Sequence, residues 1–276
     1  MDVTTWRTGL VSHNLCQLEY KHKSHPGLPW VVFLHGFDQD FRAFNEVYEA
    51  LEGKCSFLSL HIFFHGESDI DSNIPLEPRD WKAIIEKLFS SLHIEKAHWM
   101  GFSMGGKFTL ISLQLMPHLF SEVTLLAPDG IVMNPWYRFA TQNFIGRFCL
   151  RLMLQYMPFL RFVFLAFSKI GLIKSSLGRF TKHQLSSPEK RELVLNVWIR
   201  FRKIWPLEKI WRQHIKDQKI PVGIVLGKYD SIITVSKFRN KRKEMKEVHW
   251  VELKAGHSNL IEKFGRTLKG SSSIKH

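Results

Sequence analysis

The stretch Gly101-Phe102-Ser103-Met104-Gly105-Gly106 constrains this chain more than any other. Ala97 to Met100 run into it as an apolar strand and Lys107 to Leu115 run out of it as a helix, so the hexapeptide reads as a sharp strand-to-helix turn. A Gly-x-Ser-x-Gly turn of this kind strains the serine backbone and lifts its hydroxyl above the sheet. The glycines remove side chains that would collide across the tight crossing. Ser103 is therefore a candidate nucleophile. Serines between glycines also occur in ordinary loops, so the chemistry depends on a base, an acid and an oxyanion site arriving in matching order.

Upstream, residues 13 to 20 alternate loosely and predict an early antiparallel strand with Leu18 and Tyr20 on one face. Trp30 to Leu34 form a continuous apolar run suited to a strand buried on both faces, ending at His35-Gly36-Phe37. Phe41, Phe44, Val47, Tyr48 and Leu51 recur at helical spacing, and Ser56 to Phe64 predict another buried strand before His65-Gly66-Glu67-Ser68-Asp69. A helix with Trp81, Ile84, Ile85 and Leu88 on one face follows. After the helix that leaves Ser103, Val123 to Ala127 predict a strand. Ile131 opens a long helical, aromatic and basic segment without strand signals. Alternation returns with a strand over Ile220 to Leu226, a basic helix from Thr234 to Glu247, a strand from Val248 to Leu253 and a helix after Asn259. Strands alternating with helices imply a mostly parallel central sheet flanked by helices, an α/β fold. Residues 1–130 and 217–276 are expected to form its core, and residues 131–216 an inserted helical cap.

With 276 residues and 45% hydrophobic content, a sizeable core is available. The N-terminus carries an acid and no apolar run, so no secretory signal is expected, and no apolar run approaches the roughly 20 residues of a membrane span. Cys16, Cys55 and Cys149 are widely spaced and odd in number, which points to reduced thiols in a cytoplasmic protein and not to a nucleophile. Of the net charge of +14, nearly all falls in residues 131 to 216, which hold 16 Lys and Arg against Glu189, Glu192 and Glu208.

The strand ending at Leu226 leads into Gly227-Lys228-Tyr229-Asp230, and the next leads into Ala255-Gly256-His257-Ser258. In a parallel sheet these loops share an edge with the loop of Ser103, where open α/β sheets place their sites. Ser103, Asp230 and His257 thus stand in nucleophile, acid, base order. Taken one at a time, a turn aspartate and a capping histidine would also fit their loops.

Together with His35-Gly36-Phe37 and His65 to Asp69, these motifs resemble the α/β-hydrolase superfamily, specifically its cap-bearing branch with a His-Gly loop, over most of the chain outside the cap. The resemblance implies an α/β-hydrolase fold and a serine hydrolase of carboxylesterase or monoacylglycerol-lipase type. In it Ser103 attacks a carbonyl, His257 shuttles the proton, and Asp230 fixes the imidazole. It also implies an oxyanion hole from the backbone N–H groups of Phe37 and Met104, with no cofactor or metal. Asp129, just after the preceding strand, is the rival acid. The pattern departs from Asp-x-x-Gly-His-Gly at His61 and Phe64, which puts loop geometry and substrate shape in question. His61 and His65 lie four apart, yet at a strand end with no nearby third ligand, so metal binding is not expected. Epoxide hydrolases and dehalogenases of this fold use aspartate where this chain has Ser103.

The expected substrate is a small-molecule ester with an apolar acyl group. Most aromatics of the 131–216 segment are expected to pack between helices. Its basic excess suggests attraction to an anionic membrane surface, a phosphorylated or carboxylated substrate, or an acidic carrier protein, with peripheral membrane contact by a cytoplasmic enzyme as one outcome. No nucleic-acid module is present, so no nucleic-acid partner is expected. The same triad would also serve a thioesterase, a C–C hydrolase or a lyase such as the menaquinone-pathway synthase acting on an anionic substrate. The contrasting class is a non-catalytic ligand-binding or scaffold protein on the same fold.

Overall fold

The structure, a computed structural model, describes residues 5–70, 74–133, 135–156 and 185–272. These fall into two compact units. Those within Met1–Ser72, Glu77–Val132 and Ile204–His276 form the larger, and those within Asn73–Leu76 and Met133–Lys203 form the smaller.

The larger unit is built on a sheet whose strands are β1 (Arg7–His13), β2 (Cys16–Lys23), β3 (Trp30–Leu34), β4 (Ser56–Leu60), β5 (Asp69–Ile70), β6 (Ala97–Phe102), β7 (Phe120–Leu126), β8 (Val222–Gly227) and β9 (His249–Leu253). Their order is β1-β2-β4-β3-β6-β7-β8-β9, with β5 on β2. Every pairing from β4 to β9 is parallel, and β1, β2 and β5 are antiparallel additions. Helices α1 (Asn45–Leu51), α2 (Pro78–Ser91) and α3 (Met104–Leu115) belong to this unit, and so do α7 (Glu208–Asp217), α8 (Arg239–Glu244) and α9 (Leu260–Ser272). The helix Glu208–Asp217, near the end of the 131–216 segment, therefore packs with the larger unit, where Trp211 is fully buried.

Alternate residues of β3 serve opposite faces, as the strand period requires. Val31 and Phe33 join Phe44, Phe57, Phe102 and Leu260 in one buried cluster, on the side of α1 and α9. Lys269 of α9 reaches Glu46 and Glu49 of α1 at 2.8 and 2.7 Å and ties those helices together. Elsewhere in the core, Trp99 stacks between Phe89 and Phe120, with ring centroids 5.4 and 4.7 Å away.

Two strand expectations change. The strand expected at 13 to 20 is Cys16–Lys23, and it pairs with a strand at Arg7–His13 that periodicity did not mark. The strand expected over Ser56 to Phe64 stops at Leu60, because His65 N donates to Ile62 O and Phe64 N to Ser68 O, closing a turn. Phe64 adopts φ 70° there, at the place where the resemblance has glycine.

The smaller unit contains α4 (Pro135–Gln142), α5 (Phe144–Gln155) and α6 (Pro188–Arg200). Asn143 caps α5 by accepting from Ile145 N at 2.8 Å, and Ser187 caps α6 through Lys190 N at 3.3 Å. Tyr137 and Trp198 meet edge to face with centroids 5.2 Å apart. Phe159, Phe162, Phe164, Phe167, Arg161, Lys169, Lys174 and Arg179 lie outside the described residues. Against the expectation of interhelix packing, Phe144 and Phe148 are exposed, because Leu150 and Leu154 occupy the inward face of α5. Among the described residues no helix is long and apolar enough to cross a membrane.

Candidate active site

The chain order of the parallel strands reverses around β3, which lies between β4 and β6, and the crevice at such a reversal opens at the strands' C-terminal ends. The loop after β3 carries His35 to Phe37, and the turn after β6 carries Ser103. Ser103 sits at φ 49° and ψ −114°, outside the regions comfortable for a side-chain-bearing residue. Backbone bonds hold it there. Its N–H donates to Leu126 O at 3.0 Å, and its carbonyl accepts from Gly106 N and Asp129 N at 2.9 Å each. The flanking glycines are required by space. A Cβ on Gly101 would come within 2.6 Å of Gly105 O, and one on Gly105 would run into the carbonyl of Leu34.

Two further loops complete the arrangement. His257 follows β9, and its Nδ1 lies 2.6 Å from Asp230 Oδ2 while its Nε2 lies 3.2 Å from Ser103 Oγ. A carboxylate only accepts, so Nδ1 carries the proton and the Nε2 lone pair faces the serine hydroxyl. Asp230, after β8, is buried, and its other oxygen accepts from Ile232 N and Ile233 N at 2.8 Å each. These bonds fix the carboxylate in one orientation toward the ring. Asp129 is turned elsewhere. Its Oδ2 lies 3.7 Å from Nζ of the buried Lys107, and its Oδ1 accepts from Gly130 N at 2.9 Å. The structure thus brings together Ser103, His257 and Asp230 and leaves Asp129 out.

Met104 opens α3, and the N–H groups of a helix's first turn have no intrahelical partner, so its N–H is available to a developing anion. Phe37 lies in the loop after β3, and three histidines hold that loop. His35 Nε2 accepts from Ile62 N at 3.1 Å, which leaves its Nδ1 to donate to Gly36 O at 2.7 Å. His65 Nε2 accepts from Asp38 N at 3.0 Å, and its Nδ1 donates to Ile62 O at 3.0 Å. His61 Nε2 accepts from Phe41 N at 3.2 Å, and its Nδ1 donates to Glu19 Oε2 at 2.6 Å. The Phe41 ring stacks on His61 with centroids 3.4 Å apart. Gln39 completes the set by accepting from Gly36 N at 2.9 Å.

Burial, then the neighbouring His65, hold His35 well below the ordinary histidine value, and burial also lowers His65. Both are neutral rings serving as backbone acceptors. Among the described residues no group of three or more side chains could hold a metal, and the Nε2 atoms of His61 and His65 are engaged by backbone N–H groups. Burial raises the thiols of Cys16 and Cys55 to about 11 and about 12, so neither is a ready thiolate.

Glu19 escaped sequence reading. It lies 42 residues from His61 and on an antiparallel strand, yet it also accepts from Glu67 N at 2.7 Å and so braces both ends of the 61–67 turn. Where the resemblance has an acid at position 61, this chain has His61 and draws its carboxylate from β2. The departure at position 61 was the one available signal.

Comparison with known proteins agrees with this architecture. Residues 29–149, somewhat under half of the chain, match the family model described as the alpha/beta hydrolase fold. An uncharacterised hydrolase of Bacillus subtilis strain 168, YugF, is 28% identical over 111 residues, which are 40% of this chain and 41% of that one. The 2-succinyl-6-hydroxy-2,4-cyclohexadiene-1-carboxylate synthase of Shigella sonnei is 36% identical over 99 residues, 36% of this chain and 38% of the synthase. This chain thus spans about two fifths of the length of these curated relatives. A solved hydrolase from Pseudomonas aeruginosa PA01 superposes with a TM-score of 0.66 at 15% identity, covering 96% of both chains. The naproxen esterase of Bacillus subtilis gives 0.63 at 16% identity over 99% of this chain and 92% of its own. At such identities the likeness is one of fold.

Proposed function

We propose that this chain, whose residues 29–149 match the family model described as the alpha/beta hydrolase fold, is a serine hydrolase cleaving a carboxylic ester through an acyl-enzyme. The observation that carries the reading is the relay from Asp230 Oδ2 through His257 to Ser103 Oγ, with contacts of 2.6 and 3.2 Å. Ser103 Oγ attacks the ester carbonyl while its proton passes to His257 Nε2. The carbonyl electrons move to oxygen, and the resulting anion is received by the N–H groups of Phe37 and Met104. As the C–O bond to the alcohol breaks, the imidazolium returns the proton to the departing oxygen. Water then repeats the cycle on the acyl-enzyme, with His257 as base, and releases the acid and free Ser103. Asp230 stays ionised throughout, holding the tautomer and offsetting the charge on the ring. The acyl group is apolar, and no cofactor takes part.

Purified protein is expected to hydrolyse short p-nitrophenyl esters and to be labelled by a fluorophosphonate. Ser103→Ala should remove labelling and cut hydrolysis by about 10³-fold or more while leaving circular dichroism unchanged. Undiminished hydrolysis in that variant would overturn the assignment. A second reading, a lyase or C–C hydrolase working on a carboxylated substrate with the same three residues, is favoured by the 36% identity to the synthase. A panel of esters and thioesters of graded chain length, set beside carboxylated non-ester substrates, separates the two. Labelling without turnover of any ester would favour the second.

A further inference from the structure

Helix α5 carries one polar stripe, Arg147, Arg151 and Gln155, and is otherwise apolar, yet only one of its apolar faces is covered. Gly146, Leu150 and Leu154 are buried on the inward side. On the other side, Phe144, Ile145, Phe148, Leu152 and Tyr156 are 76%, 63%, 60%, 43% and 57% exposed. At 100° per residue these five fall within about 120° of arc, and Cys149, also exposed, lies at its edge. Scattered apolar side chains on a surface need no explanation, whereas a contiguous stripe of this kind marks a contact site.

Charge and composition identify the contact. Between residues 131 and 188 the chain contains eight Lys and Arg and no Asp or Glu, and the three among the described residues, Arg138, Arg147 and Arg151, all belong to α4 and α5. Arg151 is exposed beside the stripe, at the edge nearest Phe144, and its long stem can lie along apolar surface with the guanidinium in the polar layer. A protein partner would require hydrogen-bonding groups among the apolar ones, at roughly one per 100–200 Å². Within this arc only Gln155 and the Tyr156 hydroxyl offer them. Wide apolar contact under a positive potential, with few directional groups, matches an anionic headgroup layer over hydrocarbon.

We propose that the outer face of α5 docks this protein on an anionic lipid bilayer, with Phe144, Phe148 and Leu152 entering the interface and Arg151 meeting the headgroups. This goes beyond the ester-hydrolase reading and does not depend on it. The helix lies in the surface plane, since no described helix is long enough to span.

The test is flotation of the full chain with phosphatidylcholine vesicles, with and without phosphatidylserine. Binding to the anionic vesicles is expected to be stronger by about tenfold or more and to weaken with salt. Phe144→Ser/Phe148→Ser should reduce it by about tenfold or more with unchanged circular dichroism, since both side chains are exposed. Arg151→Gln should weaken it and flatten the salt dependence. Independently, a polarity-sensitive dye on Cys149, the exposed thiol, should shift to the blue on adding anionic vesicles, while Cys16 and Cys55 are buried and resist labelling. Ser103→Ala should bind vesicles as the wild type does, so failure of the catalytic reading leaves this result intact. Equal binding to neutral vesicles, or undiminished binding by the double serine variant, would overturn the proposal. So would self-association without vesicle binding that the same double variant abolishes, which would assign the face to a second copy of the chain.

Discussion

Asp129 and Asp230 follow neighbouring strands, β7 and β8, and their partners divide the work between them. Asp230 spends one oxygen on two backbone N–H groups and the other on His257, whereas Asp129 faces Lys107. Asp230→Asn is therefore expected to lower kcat by about 10³–10⁴-fold, through the wrong histidine tautomer. Asp129→Asn is expected to lower it by less than about tenfold while reducing stability, since Lys107 then keeps a buried charge with a weaker counterpart. Steady-state kinetics and urea melts of the two variants separate these outcomes. At His61 the expected effect is mixed. His61→Ala leaves Phe41 N–H without its acceptor and removes one of the two donors to Glu19 Oε2, costing about 1–3 kcal/mol in a denaturant melt. Because Phe41 continues the loop that carries Phe37, kcat should fall more than KM changes.

At the scale of elements, α3 begins so close to its neighbours that Gly105 and Gly106 of its first turn have no room for side chains. Gly105→Ala would drive a methyl group into the carbonyls of Leu34 and His35, both backbone, so relief requires moving α3 or the end of β3. A loss of about 1–3 kcal/mol or more is expected in urea unfolding, together with loss of esterase activity, since Ser103 and the His35 loop both shift. This crossing was legible from Gly101 to Gly106 because close approach leaves a mark in residue type. Buried parallel strands were legible for a related reason. Trp30 to Leu34 is apolar throughout and matches β3 residue for residue. The first strand was not, because Arg7–His13 is an edge strand exposed along most of its length and burial imposes no pattern on it. The exposed face of α5 was hidden for the opposite reason, since Phe144 and Phe148 look the same in sequence whether packed or bare.

For the whole molecule, acid should be destabilising before the carboxylates titrate. Burial depresses His35 and His65 in the folded state below the ordinary value of 6.5, so the unfolded chain takes up protons first. Their contribution is fully present above about pH 6.5 and is lost as the pH falls below it. The melting temperature should accordingly drop between pH 7 and pH 5, and in His35→Asn the drop should be shallower. The order of Ser103, Asp230 and His257 made the site legible at this scale, but the bonds holding the loop of Phe37 join β2 to the segments that follow β3 and β4. No local spacing announces them. One consequence concerns how many protons the enzyme counts. His35 and His65 both present a bare Nε2 to a backbone N–H, so a proton added at either sets donor against donor beside Phe37. Burial has pushed both rings below the ordinary value, so kcat/KM should show a loss on the acid side of pH 6.5 that vanishes in a variant whose loop is held by amide side chains in place of these two imidazoles.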